Sequence, residues 1–99
     1  MRRISIFGAT GSVGEQTIDL IERAGGASTF RTVALTGGRN IARLAEQAHA
    51  LRAEIAVCAD PADLPALREA LAGTQIETAA GPLAIAEAAD RPADWTMSA

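Results

Sequence analysis

The chain has no lysine and no tyrosine, one histidine, one cysteine and only three aromatic residues, Phe7, Phe30 and Trp95. Each absence excludes a chemistry. Without lysine, none of these 99 residues offers a Schiff-base amine or a catalytic ammonium group. A lone Cys58 forbids an intrachain disulfide and a cysteine-based metal cluster. Positive charge comes from nine arginines against twelve acids, a net −3 at pH 7, so no basic surplus marks nucleic acid as a partner. No apolar run is long enough to span a bilayer, and the start Met1-Arg2-Arg3-Ile4-Ser5 lacks a signal-peptide core. The expectation is a cytoplasmic protein with no membrane partner.

What remains is a globular composition, 48% hydrophobic and 21% charged. The length suits one small domain, which buries only about 60–70% of its unfolded surface and is therefore of modest stability. The most informative stretch is Ile4-Ser5-Ile6-Phe7-Gly8-Ala9-Thr10-Gly11-Ser12-Val13-Gly14. It reads as a strand, a glycine-rich turn and the start of a helix whose stripe is Val13, Thr17, Leu20, Ile21 and Ala24. A helix N-terminus carries unpaired backbone N–H groups and about half a positive charge, which a pyrophosphate can reach if no side chain intervenes. Gly8 permits the tight turn, Gly11 the approach of the phosphates and Gly14 the packing of helix on strand. Thr10 and Ser12 add hydroxyl donors. The plainer alternative is a strand-to-helix turn that needs glycine only for its dihedrals. The strand before and the helix after are the context that a dinucleotide site requires. The G-x-x-G-x-x-G spacing marks a variant of the commoner G-x-G-x-x-G turn.

The rest alternates strand and helix. Strands are expected at Arg3–Phe7, Phe30–Leu35, Ile55–Cys58, Gln75–Thr78 and from Asp94 to Ala99. The helices between them cover Ser12–Ala24, stopped by Gly25-Gly26, and Ile41–Leu51, capped by Asn40 with Ile41, Leu44, Ala45 and Ala48 inward. A third is opened by Asp60-Pro61 and ended by Gly73, with Leu64, Leu67 and Leu71 inward and Pro65 an awkward presence in its second turn. A fourth runs Leu83–Ala89. Short links between such elements imply an α/β fold, a Rossmann-like doubly wound parallel sheet covered on both faces. The chain stops within the fifth strand, so a fragment of a longer protein is expected, truncated near strand five.

After strand two, Leu35-Thr36-Gly37-Gly38-Arg39-Asn40 has no acid where NAD-binding domains place one for the adenosine ribose. Arg39 instead suits charge-assisted bonds to a 2′-phosphate, Gly37 and Gly38 allow close backbone approach, and Asn40 offers an amide donor. This reads as NADP(H) over NAD(H); the bland alternative makes Arg39 a solvated surface residue and Asn40 only a cap.

Gly8-Ala9-Thr10-Gly11-Ser12-Val13-Gly14-Glu15-Gln16-Thr17, joined to Val33-Ala34-Leu35-Thr36-Gly37-Gly38-Arg39-Asn40, resembles the N-terminus of the 1-deoxy-D-xylulose 5-phosphate reductoisomerases. The resemblance extends to Asp94-Trp95-Thr96-Met97. It implies an NADPH-dependent enzyme of isoprenoid precursor synthesis that isomerises and reduces a phosphosugar to methylerythritol phosphate. A divalent metal, Mg²⁺ or Mn²⁺, orients the substrate oxygens. By this resemblance Thr10, Gly11, Ser12 and Val13 contact the cofactor phosphates, and Gly37, Gly38, Arg39 and Asn40 surround the adenosine end. Arg39 stands where relatives often carry lysine. The metal carboxylates, the substrate-phosphate groups and the lid of the family lie beyond residue 99, and the full-length enzyme is implied to be a homodimer.

The remaining polar residues receive structural roles. Asp60, Asp63 and Glu69 read as a solvated face with no metal role, His49 as structural or exposed, Cys58 as buried and Trp95 as packed on the sheet. Two other classes stay open on the residues alone. One is the cofactor domain of another reductase, related to aspartate-semialdehyde dehydrogenase or to the extended short-chain reductases, whose Cys or Tyr–Lys machinery would lie downstream. The other is a stand-alone nucleotide-binding or redox-sensing module.

Overall fold

The computed structural model describes residues 1–99. In chain order the elements are β1 (Arg2–Phe7), α1 (Ser12–Arg23), β2 (Phe30–Gly37), α2 (Ile41–Leu51), β3 (Ile55–Cys58), α3 (Leu64–Ala70), β4 (Glu77–Ala80), α4 (Pro82–Asp90) and β5 (Trp95–Ser98). Short 3₁₀ turns occupy Gly26–Ser28 and Pro61–Asp63. The five strands form one parallel sheet in the order β4-β3-β2-β1-β5. This is the doubly wound α/β architecture that the alternation of strand and helix implies.

The side-chain alternation of each strand sends residues to both layers. Ile4, Ile6, Leu35, Ala56 and Cys58 pack with Ile18 and Ile21 of α1, with Leu44, Ala48 and Leu51 of α2, and with Leu67 and the following Leu71 of α3. Val33, Ala34, Ile55 and Val57 instead meet Ala88, with Ala84 and Ile85 of α4 beside it. Three helices therefore cover one face and a single helix the other. β2 carries one extra residue relative to β1, because Ile4 pairs with Thr32 and Ser5 with Ala34. The bulge at Val33 lets two successive residues of β2, Val33 and Ala34, join the α4 layer.

Several boundaries differ from the sequence expectation for local reasons. β4 begins two residues late because Thr74 holds a turn: its hydroxyl donates to the Leu71 carbonyl at 2.7 Å and accepts from Ile76 N at 3.2 Å. The third helix is split. Asp60 caps a 3₁₀ turn through Ala62 N at 2.9 Å, and the α segment starts only at Leu64. Pro65 thus falls in the first turn of α3, where its missing N–H costs nothing. In α1 the buried face is Gly14, Thr17, Ile18 and Ile21, whereas Val13, Leu20 and Ala24 are exposed, contrary to the expected stripe. Trp95 lies opposite Ile4 on the edge strand and keeps 42% of its surface exposed, so it is less covered than expected. His49 is exposed and Cys58 fully buried. No helix is long and apolar enough to cross a membrane.

Candidate functional site

The strand order reverses direction between β1 and β5. From β1 the chain winds one way through β2, β3 and β4, then returns beneath the sheet through α4 to place β5 on the other side of β1. In open α/β sheets, ligands bind at the carboxyl ends of the strands where such a reversal occurs. Here that point holds a cleft of about 360 Å³ lined by Gly8, Thr10, Gly11, Ser12, Val13, Gly38 and Ala99. Six of the seven lining residues are ones that the sequence singled out. A larger cleft of about 460 Å³, lined by Arg3, Arg31, Val33, Glu54, Arg91 and Pro92, lies at the other ends of the strands, away from the reversal.

The glycines divide by task. Gly8 has φ +82°, a left-handed turn that glycine adopts at little cost. At Gly14 an added Cβ would meet the Gly8 carbonyl oxygen at 2.2 Å and the Ala9 backbone at 2.7 Å, so glycine is what lets α1 lie on the turn. Over Gly11 the nearest atom to such a Cβ is 3.6 Å away, and over Gly38 there is nothing within 4 Å. Backbone is therefore bare at two of the three positions where the sequence reading asks a ligand to come close. Gly37 is instead packed, between Thr10 and Leu44, as the last residue of β2.

The turn is held by hydrogen bonds that leave its outward donors unspent. Gly8 N donates to the Thr36 carbonyl at 3.1 Å and to Thr36 Oγ1 at 3.0 Å, and Ala9 N donates to the same carbonyl at 2.7 Å. Gly11 N returns to Gly8 O at 3.2 Å, and Glu15 N to Gly11 O at 2.8 Å. Gly11 is the N-cap of α1 and has no side-chain bond, so Ser12, Val13 and Gly14 have no backbone or side-chain acceptor. These three amides converge at the positive end of a twelve-residue helix. The exposure of Val13, 54%, suits a residue whose backbone faces the cleft better than one inside a helix stripe.

The second loop is tied to the first. Gly38 N donates to Thr10 Oγ1 at 3.4 Å, a long bond. Asn40 caps α2 as expected, its Oδ1 accepting from Arg43 N at 3.2 Å. The Arg39 side chain is 86% exposed, and its nearest acid is Asp60, with 4.0 Å between Nη2 and Oδ2. An exposed pair at that distance holds the guanidinium only weakly. Asp60, Asp63 and Glu69 form no metal-binding cluster, and no three His, Cys, Asp or Glu side chains converge anywhere.

Sequence reasoning missed the group that joins helix α2 to the turn. Arg43 makes a two-pronged bond to Glu15, Nε to Oε2 at 2.7 Å and Nη2 to Oε1 at 2.6 Å. Gln47 Nε2 donates to the Ala9 carbonyl at 2.8 Å and to Glu15 Oε1 at 3.1 Å. Arg43, then Gln47, hold the Glu15 carboxyl below its ordinary range against the opposing effect of partial desolvation, and Glu15 in turn raises the Arg43 guanidinium. The available signal was one polar residue, Gln47, one turn from Leu44 and Leu51 on the buried face of α2.

Comparisons with known proteins point to one family. Residues 4–99 match the family described as 1-deoxy-D-xylulose 5-phosphate reductoisomerase. A protein of that name from Cereibacter sphaeroides is 72% identical over all 99 residues, which span 25% of its length. A solved structure described as 1-deoxy-D-xylulose 5-phosphate reductoisomerase from Zymomonas mobilis in complex with NADPH is 47% identical, with a TM-score of 0.91 over 96% of this chain and 24% of that one. Another, described as the enzyme in complex with NADPH, fosmidomycin and magnesium, is 25% identical, with a TM-score of 0.86 over 97% of this chain and 24% of that one. The chain spans about a quarter of the length of these relatives, and it belongs to the 1-deoxy-D-xylulose 5-phosphate reductoisomerase family.

Proposed function

We infer that these residues form the NADPH-holding part of an enzyme that converts 1-deoxy-D-xylulose 5-phosphate to 2-C-methyl-D-erythritol 4-phosphate. The observation that carries this reading is the set of three unpaired amides, Ser12 to Gly14, at the point where the strand order reverses. The residues fit the cofactor: Gly11 and Gly38 leave space above bare backbone, and no acid lies on the loop between β2 and α2. Gly8 and Gly14 shape the turn, while Thr10, Gly11, Ser12 and Val13 receive the pyrophosphate. Gly37, Gly38, Arg39 and Asn40 surround the adenosine end. When bound, NADPH supplies a hydride for reduction. The Zymomonas mobilis relative solved with NADPH supports the choice of cofactor.

The family's divalent metal does not fit any residues of this chain, since no cluster of acids, histidine and cysteine converges. This reading assigns metal binding, phosphosugar recognition and the chemical step to the remainder of an enzyme of which this chain spans about a quarter. The reading includes a cytoplasmic homodimer that binds neither nucleic acid nor membrane. Family membership disfavours the alternatives of another reductase's cofactor domain and of a stand-alone module.

Titration of the protein with NADPH, combined with amide hydrogen exchange, tests this directly. Binding is expected to protect residues 8–14 and 37–40; protection elsewhere, with those segments unchanged, would overturn the reading. Arg39→Ala is expected to weaken NADPH about ten- to hundredfold while leaving NADH nearly unchanged, since a hydrogen bond to a charged group contributes about 1.5–3 kcal/mol. An equal loss for both cofactors would remove Arg39 from the 2′-phosphate.

A further inference from the structure

Gln47 is 1% exposed, yet it stands among Leu44, Ala48 and Leu51 on the inner face of α2. Its amide nitrogen faces two acceptors, the Ala9 carbonyl and the Glu15 carboxylate, so the orientation of the carboxamide is fixed by chemistry. Its oxygen has no partner. Only the nitrogen end is engaged, by an acceptor on the glycine turn and another on the first turn of α1.

That end sets the direction of a single peptide plane. In a trans peptide the C=O and the following N–H point opposite ways. The Ala9 carbonyl is turned toward α2 by Gln47, so the Thr10 N–H of the same plane is turned away from α2. Thr10 N has no acceptor in the protein, and Thr10 lines the cleft. Glu15 anchors the arrangement from the first turn of α1, and Arg43, one turn before Gln47 on α2, fixes Glu15 in place. Asn40, the last residue of the second glycine loop, also caps α2.

We propose that Gln47 is a positioning residue that holds the Ala9–Thr10 peptide with its N–H toward the cofactor pyrophosphate, with Glu15 and Arg43 locking Gln47 in place. The proposal rests on the NADPH reading above and assigns residues that contact no cofactor. Its effect falls on the part common to NADPH and NADH, unlike that of Arg39.

The test uses the protein at its full natural length. Gln47→Leu is expected to weaken NADPH and NADH equally, about tenfold each, and to leave adenosine 2′-monophosphate, which has no pyrophosphate, bound as in the wild type. Arg43→Met, at a half-exposed position, is expected to show the same pattern with a loss of about two- to fivefold; it keeps the test alive if Gln47→Leu fails to fold. Unchanged dinucleotide affinity in a folded variant overturns the proposal. So does a parallel loss of adenosine 2′-monophosphate, which indicates general loosening. Wild-type protein that binds no NADPH at the glycine turn would instead overturn the underlying function.

Discussion

At the scale of single residues, Gly14 shows how much one missing Cβ decides. A methyl group added there would lie so close to the Gly8 carbonyl and the Ala9 backbone that alanine requires α1 to move off the turn. Overpacking against backbone costs about 1–3 kcal/mol. Gly14→Ala is therefore expected to lower stability by about 3 kcal/mol, read as a shift of the urea midpoint, and to weaken dinucleotide binding with it. An unchanged midpoint would show that the contact relaxes freely. The glycine residues were legible in the sequence because their spacing is periodic and their context is local. Gln47 was not, since a polar residue beside alanines reads as surface until the partner carbonyl, 38 positions away, is brought to it.

At the scale of elements, the inward face of α1 was misjudged for a related reason. Only two of the four apolar residues of this helix, Ile18 and Ile21, are buried, whereas hydrophobicity alone centres the stripe on Val13. Contact with the turn centres it on Gly14, which pulls in Thr17, Ile18 and Ile21 and leaves Val13 and Leu20 outside. The elements themselves were recovered where the cap is local, as at Asn40, and displaced where a side chain holds a turn, as at Asp60 and Thr74. The tie between α1 and α2 has a pH signature. The Glu15 carboxyl is held below its ordinary value of 4.5 chiefly by the hydrogen bonds from Arg43. A depressed folded value means that the added stability is present above the unfolded pKa and is lost as pH falls through the folded one. Relative to Glu15→Gln, the wild type is expected to gain about 0.5–1 kcal/mol at pH 7, since the pair is partly solvated. The gain fades as pH drops below 4.5. A difference in urea midpoints that stays constant from pH 7 to pH 3 would rule this out.

At the scale of the whole molecule, the parallel sheet and its two layers were legible because strands and helices alternate with short links. The strand order was not, since nothing local says on which side of β1 the fifth strand returns; that follows from right-handed crossovers and from α4 taking the face opposite α1, α2 and α3. Cys58, fully buried at the end of β3, reports on this whole. Burial raises its thiol above the ordinary range, so little thiolate forms and none is accessible in the folded state. Labelling by a thiol reagent at pH 8 is expected to be far slower in native protein than in denaturant, at a rate set by opening of the fold; equal rates would show that the core around Cys58 is open. The two sides of the sheet are not equally clad. Val33, Ala34, Ile55 and Val57 depend on the nine residues of α4, four of them alanine, whereas the opposite side lies under three helices. Detachment of α4 would strip all four aliphatic side chains in one event, so the first breach belongs on that lightly clad side, while the glycine turn stays tied to α2 through Gln47.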